Sequence, residues 1–177
     1  MSKMRIKEAL LECGALMYGE FTLASGKKSR YYIDIKKAST DPQVLAELAE
    51  EMACYMAAKG IVVDRIAGVV LGSIPLAVAL SLRTGTSYVM VRKEKKDHGT
   101  SKLIEGGLMQ NDRVLVVEDV VTSAGSSAEA ISILRDAGAK VSTVLTVIDR
   151  QEGGKERLAD MGVELLSLLT ADDVLRE

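Results

Sequence analysis

Aromatic side chains are scarce in this sequence. Phenylalanine, tyrosine and tryptophan together make up 3% of its 177 residues, and tryptophan is missing altogether. A core without large rings must be built from aliphatic side chains, and the hydrophobic content of 47% supplies them. Aliphatic cores are typical of parallel sheets that helices cover on both faces. The composition therefore favours an α/β fold over a β-sandwich, in a chain whose length suits a single domain.

Cysteine is scarce as well. Cys13 and Cys54 stand far apart, without the spacing of a zinc site or of a disulfide framework. Each lies in a helical pattern, so we expect both to be core thiols in a reducing cytoplasm. The first 20 residues carry charges within their apolar part and so lack the apolar region of a secretory signal.

Neither sign of charge dominates the chain. The formal net charge is -2 and the isoelectric point is near 5.6. Because there is no global basic field to attract a polyanion, we expect no nucleic-acid partner, and any anion site must be local.

One uncharged stretch, residues 66–82, approaches the ~17–25 residues of a membrane-spanning helix. Gly72 and Pro75 interrupt it, however, and Ser73 is a suitable N-cap residue. The stretch therefore predicts a strand, a turn and a helix, and no membrane association is expected.

Strands and helices alternate along most of the chain. Apolar spacing predicts a helix over residues 4–17, two short strands around a turn at Ser25 and Gly26, and a helix opening at Asp41 and Pro42. Further strands are predicted near 65–70, 87–91, 113–118, 140–148 and 163–168, with helices at 74–83, 126–137 and 152–161. Such alternation implies a mainly parallel central sheet flanked by helices, in which ligands bind beyond the carboxyl ends of the strands.

The most informative segment is VLVVEDVVTSAGSS, residues 114–127. A buried strand leads into Glu118 and Asp119, and small residues then open a helix whose backbone N–H groups can bind a phosphate. The segment is neither a Walker loop nor a dinucleotide-binding loop. Small residues alone would fit a capped helix with two solvated acids equally well. Carboxylates beside a phosphate, however, call for a neutral or cationic group between them, such as a ribose.

This segment resembles the phosphoribosyl pyrophosphate (PRPP) signature of the type I phosphoribosyltransferases. The resemblance implies that Glu118 and Asp119 hold the ribose hydroxyls and that residues 122–126 hold the 5-phosphate. Many relatives have glycine where this chain has Ala124. The PRPP-binding residues implied here are Glu118, Asp119, Val120, Val121, Thr122, Ser123, Ala124, Gly125 and Ser126.

A second segment, VRKEKKDHGTSKLIEG (residues 91–106), is rich in cations and contains the single histidine. Taken alone, such a charge run is usually a solvated face. Next to a PRPP-binding loop, however, a cationic segment is suited to cover the pyrophosphate as it leaves. Its form R-K-E-x-K-D-H-G closely resembles the loop of orotate phosphoribosyltransferases, as do FTLASGKKSRYYIDI (residues 21–35) and VIDRQEG (residues 147–153).

The resemblance to that family implies transfer of the phosphoribosyl group from PRPP to orotate, in pyrimidine biosynthesis. It implies Mg²⁺ on the PRPP oxygens rather than in a protein cage, and a homodimer with active sites shared across the interface. It also implies a small N-terminal helix and hood over residues 1–40, before a PRPP-binding core over 41–177. The implied roles are pyrophosphate contacts from Arg92, Lys93, Lys96 and His98, catalysis by Lys93, Lys96, His98 and Asp119, and orotate binding by Thr122 and Arg150.

Two positions depart from the family pattern. Some relatives have lysine at the positions of Ala24 and of the Gly72-Ser73 pair, so those contacts are either absent here or supplied by another residue, with Lys27, Lys28 and Lys36 as candidates. Tyr31 and Tyr32 are candidates to flank the base, although alternation along a strand would bury one of them. Two rival interpretations remain: a phosphoribosyltransferase for a purine base, and a non-catalytic regulator that binds nucleotide or RNA.

Overall fold

The computed structural model describes residues 3–22, 26, 28–92 and 102–176. The helices are α1 (Lys3–Glu12), α2 (Ile35–Ser39), α3 (Pro42–Ala58), α4 (Ile74–Thr84), α5 (Gly125–Asp136), α6 (Gly154–Asp160) and α7 (Ala171–Leu175). The strands are β1 (Leu16–Thr22), β2 (Lys28–Ile33), β3 (Arg65–Val69), β4 (Tyr88–Val91), β5 (Ile104–Glu105), β6 (Arg113–Val121), β7 (Lys140–Asp149) and β8 (Glu164–Thr170).

The central sheet has the strand order β5-β4-β3-β6-β7-β8. All its neighbouring strands run parallel except β4 and β5, which pair antiparallel at one edge. β1 and β2 form a separate antiparallel hairpin. The predicted α/β class with a mainly parallel sheet is therefore confirmed.

Helices bury both faces of this sheet, and β6 shows how. Leu115 and Val117 pack in a cluster with residues of α1, α3 and α4, while Val114 and Val116 pack on the other face with residues of α5 and α6. All four side chains are at most 2% exposed. A strand that is buried on both faces consists of consecutive aliphatic residues, which explains the high aliphatic content of the chain.

The N-terminal helix is shorter than its periodicity predicted. α1 ends at Glu12, Gly14 adopts a left-handed φ of 68°, and β1 begins at Leu16. The prediction of helix as far as residue 17 was wrong because the apolar residues after the turn belong to the hairpin. This early turn carries the chain into the strand pair that forms one wall of the cleft described below.

Two local predictions also need correction. Cys54 is exposed on the outer face of α3, where its thiol lies 3.5 Å from Oε1 of Glu50, so it is not a core thiol. Cys13 is only partly buried. Ser73 occupies the N-cap position of α4, but its hydroxyl donates to the carbonyl of Val69 instead of capping the helix.

None of the helices formed by the described residues combines the length and the apolar character that crossing a membrane requires.

Candidate active site

The carboxyl ends of β6 and β7 meet the end of the hairpin at a cleft of about 380 Å³. Strand ends from neighbouring parallel strands share one edge of a sheet, so side chains distant in sequence converge there. The residues that line the cleft are Tyr32, Ile33, Asp34, Ile35, Lys36, Asp119, Val120, Thr122 and Arg150. A larger cavity of about 470 Å³ lies between α1 and the start of α3, and none of the predicted site residues lines it.

The two acids of the signature have different surroundings. Asp119 lines the cleft with its side chain 18% exposed, and its Oδ1 accepts a hydrogen bond of 2.9 Å from the N–H of Val120. Glu118 is 5% exposed, and its Oε1 accepts a hydrogen bond of 3.0 Å from the hydroxyl of Ser127 in α5. Both lie within β6, where successive side chains point to opposite faces.

The loop after β6 leads directly into α5, which begins at Gly125. Ala124 holds the N-cap position with φ 55° and ψ 25°, a left-handed conformation that is uncommon for a residue with a Cβ. Its methyl group is 4% exposed and packs in the cluster beneath α5 and α6. Because alanine has no polar side chain, Ala124 does not cap α5, and the start of this helix suits an anion.

α6 supports this loop from behind. Gly154 is buried at the start of α6, and a Cβ added to it would lie 2.5 Å from the carbonyl oxygen of Thr122 and 3.4 Å from the Cβ of Ala124. Glycine is therefore required there for close approach of two backbone segments. The contact fixes the position of the residues 122–126 loop relative to the end of β7.

Arg150 follows β7 and lies against the hairpin. Its N–H donates 2.9 Å to the carbonyl of Val121, and its guanidinium carbon lies 5.3 Å from the centre of the Tyr31 ring. The Nε atom is 3.0 Å from Oε1 of Glu152 but is not directed at it, and among the described residues it has no hydrogen-bond acceptor. A planar guanidinium on an aromatic ring is held in a fixed orientation, which suits two-point binding of a carboxylate.

The two tyrosines differ as strand alternation predicted. Tyr31 is 6% exposed beneath Arg150, whereas Tyr32 is 40% exposed and lines the cleft. Burial raises the pKa of Tyr31 and outweighs the opposing effect of Arg150, so the phenol is neutral at physiological pH. The ring of Tyr32 lies 5.6 Å from that of Phe21, which leaves an aromatic surface at the cleft wall.

Other predicted site residues are not brought into the cleft. Arg92 follows β4 at the same edge of the sheet, but it does not line the cleft, and its Nε lies 3.8 Å from Oε1 of Glu105. Lys93, Lys96 and His98 lie outside the described residues. The same holds for Ala24 and Lys27, while Lys28 donates to the hydroxyl of Thr22 in the hairpin.

The wall formed by residues 32–36 was largely missed from the sequence. Asp34 is the N-cap of α2, and its Oδ1 accepts hydrogen bonds from the N–H groups of Lys36 and Lys37. An aspartate before a short lysine-rich segment is a helix-start signal that could have found α2. From this wall the sequence pointed only to Tyr32, as a candidate to flank the base, and to Lys36, as one of three replacements for missing lysines.

No group of three or more acidic, histidine or cysteine side chains with metal-binding geometry occurs in the part of the chain that the structure describes. Among the described residues, the carboxylates that line the cleft are those of Asp34 and Asp119. Mg²⁺ commonly binds through one or two carboxylates together with substrate phosphates, and this donor set fits that mode rather than a protein cage.

The family model, the relatives in sequence and the solved structures that this chain resembles agree with one another. Residues 38–167 match the phosphoribosyl transferase domain. The orotate phosphoribosyltransferase of Methanosarcina mazei is 50% identical over 174 residues, which cover 98% of this chain and 92% of the relative. The crystal structure of orotate phosphoribosyltransferase from Aeropyrum pernix has a TM-score of 0.82 and 36% identity, with 96% of both chains covered. That of the Mycobacterium tuberculosis enzyme in complex with PRPP has a TM-score of 0.80 and 29% identity, with 97% of this chain and 98% of the other covered.

Proposed function

Because this chain belongs to the orotate phosphoribosyltransferase family, we propose that the cleft between β6, β7 and the hairpin is its active site. The protein is a phosphoribosyltransferase that transfers the 5-phosphoribosyl group from PRPP to orotate. The products are orotidine 5′-monophosphate and pyrophosphate, in the de novo synthesis of pyrimidine nucleotides. The fold is that of the type I phosphoribosyltransferases.

The observation that carries the site assignment is the meeting of Asp119, Thr122 and Arg150 in one cleft. In the proposed arrangement, the 5-phosphate binds to the backbone N–H groups of residues 122–126 at the start of α5. The ribose hydroxyls face Asp119, with Glu118 as the second acidic contact. The orotate carboxylate pairs with Arg150, its ring lies near Tyr32, and Thr122 contacts the base from the loop.

This arrangement suits the chemistry of the transfer. The bond between C1′ and the pyrophosphate oxygen breaks, and its electron pair leaves with pyrophosphate. A new bond forms from C1′ to N1 of orotate, which gives up its proton. Positive charge develops on the ribose as the first bond breaks, and the fixed carboxylate of Asp119 stabilises it.

The leaving pyrophosphate needs cations. We assign this role to Arg92, Lys93, Lys96 and His98, which belong to the cation-rich segment of residues 91–106. Mg²⁺ on the PRPP oxygens supplies further neutralisation of the pyrophosphate charge when it is bound. The position of Arg92 outside the cleft of its own chain supports the proposal that the segment serves a neighbouring subunit in a homodimer. A cytoplasmic location fits substrates that are soluble metabolites.

A base panel tests the activity. The protein is incubated with PRPP, Mg²⁺ and orotate, uracil, adenine or hypoxanthine in turn, and consumption of each base is followed. We expect turnover of orotate alone. Turnover of a purine base would favour the purine rival, and no turnover at all would favour the non-catalytic regulator.

An Arg150→Ala variant links the activity to the cleft. Loss of a charge-assisted pair costs about 1.5–3 kcal/mol, so KM for orotate should rise roughly 10- to 150-fold while PRPP binding is kept. An equal loss for both substrates would contradict the assignment of Arg150 to the orotate carboxylate.

A further inference from the structure

Lys36 reaches into the cleft from the hairpin side. Its Nζ lies 3.8 Å from Oδ2 of Asp119, and 66% of its side chain is exposed. The capping of α2 by Asp34 fixes the backbone from which this side chain extends. The neighbouring Lys37 points elsewhere, because its Nζ would lie 2.7 Å from a Cβ placed on Gly14.

Gly72 makes room for this pair. A Cβ added to Gly72 would overlap Oδ2 of Asp119 and would lie 3.4 Å from Cε of Lys36. The stem of Lys36 and the carboxylate of Asp119 therefore fill the space that a side chain at position 72 would take. Three segments that are distant in sequence thus place one ammonium group beside the proposed ribose carboxylate.

The ion pair between Lys36 and Asp119 is weak. An exposed lysine at 3.8 Å from a carboxylate gains little from the pair, and its flexible stem can turn to another anion. Asp119 must also be freed of a competing cation to stabilise positive charge on the ribose. A substrate that brings several phosphate charges into the same cleft would draw the ammonium group away from the carboxylate.

We propose that Lys36 is a substrate-binding residue of the transfer reaction, which neutralises Asp119 before PRPP binds and then moves to the pyrophosphate oxygens of PRPP. This inference rests on the proposed function and adds to it a cation supplied by the hairpin side of the same chain. PRPP binding then coincides with loss of the ion pair between Lys36 and Asp119, because the same ammonium group takes part in both. Lys36 contributes to PRPP binding and to departure of pyrophosphate, and it contributes little to binding of orotate.

The test compares Lys36→Met with Lys37→Met, which removes the same charge from the same short helix. Steady-state kinetics give kcat and KM for each substrate, and calorimetry gives the affinity for PRPP with Mg²⁺. For Lys36→Met we expect kcat/KM for PRPP to fall about 10- to 100-fold, as for loss of a hydrogen bond to a charged group, with KM for orotate changed less than about twofold. Lys36→Arg should recover part of the loss, and Lys37→Met should match the parent protein.

Two results would overturn the role of Lys36. One is a Lys36→Met protein that matches Lys37→Met in PRPP affinity and kinetics, and the other is an equal loss for PRPP and orotate. The calorimetric measurement separates this inference from the proposed function. If the parent protein binds PRPP but transfers nothing to orotate, the proposed function fails, and the PRPP affinity of Lys36→Met still decides the role of Lys36. Because Lys36 is largely exposed, thermal unfolding should be unchanged, and Lys36→Gln replaces any Lys36→Met protein that fails to fold.

Discussion

Glu118 and Asp119 are neighbours in sequence, but their carboxylates have different surroundings and contacts in the folded protein. The carboxylate of Asp119 borders the cleft, whereas that of Glu118 is buried and accepts a hydrogen bond from Ser127 at the start of α5. An acid pair in a signature therefore does not imply two equivalent acids. In the proposed site the carboxylate of Asp119 faces the ribose, and that of Glu118 also holds the helix that follows the residues 122–126 loop.

Substituting each acid by its amide separates these contributions. Asp119→Asn keeps the shape of the side chain but removes the charge that faces the ribose in the proposed site, so kcat should fall about 100-fold or more with little change in stability. Glu118→Gln should lower the free energy of unfolding by about 1–2 kcal/mol, because a charge-assisted hydrogen bond in a buried position is weakened. Kinetics and chemical denaturation of both variants provide the measurement. Unaltered turnover in Asp119→Asn would remove this residue from the catalytic assignment.

At the scale of secondary-structure elements, the proposed phosphate-binding loop of residues 122–126 depends on helix packing as much as on its own residues. α6 approaches the loop so closely that a Cβ at Gly154 would clash with the Thr122 carbonyl oxygen. Ala124 itself accepts a left-handed conformation, which costs roughly 1–2 kcal/mol for a residue with a Cβ. Burial of its methyl group between α5 and α6 offsets part of that cost.

A methyl group at position 154 should disturb the loop. In Gly154→Ala the new Cβ would lie 2.5 Å from the Thr122 carbonyl oxygen, so the loop or α6 has to move. Overpacking of this kind typically costs about 1–3 kcal/mol, and KM for PRPP should rise as well. Gly107→Ala is the control, because its Cβ would meet no atom within 4 Å and its φ is not in the left-handed region. If both variants unfold at the same temperature and bind PRPP equally well, the packing argument is wrong.

The two ends of the described chain are joined through α7. Asp173 accepts hydrogen bonds from the Thr170 hydroxyl at 2.8 Å and from Lys3 Nζ at 2.7 Å, and its own N–H donates to Thr170. Burial alone would raise the pKa of Asp173, but the hydrogen bonds from Lys3 and Thr170 outweigh it, so the pKa lies below the ordinary value. A folded-state pKa below the unfolded one stabilises the protein above the unfolded pKa of about 3.9, and this contribution is lost as the pH falls through the folded value.

Asp173→Asn should therefore destabilise the protein only where the carboxylate would be charged. At pH 7 we expect a loss of about 1 kcal/mol, typical of a lost helix cap, and the difference from the parent protein should shrink as the pH falls below about 4. Denaturant unfolding at several pH values measures it. Asp172→Asn provides a matched control on the same helix. A constant difference between Asp173→Asn and the parent across the whole pH range would show that the contribution is not electrostatic.

Sequence patterns predicted the long elements well and the short ones poorly. The strands from β3 to β8 were found, with the exception of β5, because burial on both faces gives uninterrupted aliphatic runs. The five-residue α2, the two-residue β5 and the five-residue α7 have too few residues to show a period. The site residues also differ in how far the sequence predicts them. The residues 122–126 loop and Arg150 each lie in a segment with a recognisable sequence. The closeness of Lys36 to Asp119 depends instead on how the hairpin packs on the sheet.

At the scale of the whole molecule, the proposed single domain over residues 1–177 would need a second copy to complete its active sites. The cleft contains Asp119 and Arg150, while Arg92, at the start of the cationic segment, lies outside it. In a twofold dimer each segment would then act at the partner's cleft. If the sites are shared in this way, a substitution in the cleft and a substitution in the cationic segment affect the same site only when they lie on different chains.

Subunit mixing tests that arrangement. Lys93→Ala and Asp119→Asn chains, each nearly inactive alone, are mixed and allowed to exchange. In a mixed dimer one site would carry both defects, and the other would combine an intact acid with an intact cationic segment and regain activity. Differently tagged chains identify the mixed dimers. Mixed dimers that stay as inactive as their parents would mean that each segment serves its own subunit.

The most direct test of the proposed site is a crystal structure of the protein with orotidine 5′-monophosphate. This product carries the phosphate, the ribose and the carboxylated base in one molecule, so a single electron-density map locates all three. We expect its phosphate at the N–H groups of residues 122–126, its ribose hydroxyls at Asp119 and its carboxylate paired with Arg150. A nucleotide bound outside this cleft, or bound in it with its carboxylate away from Arg150, would contradict the assignment.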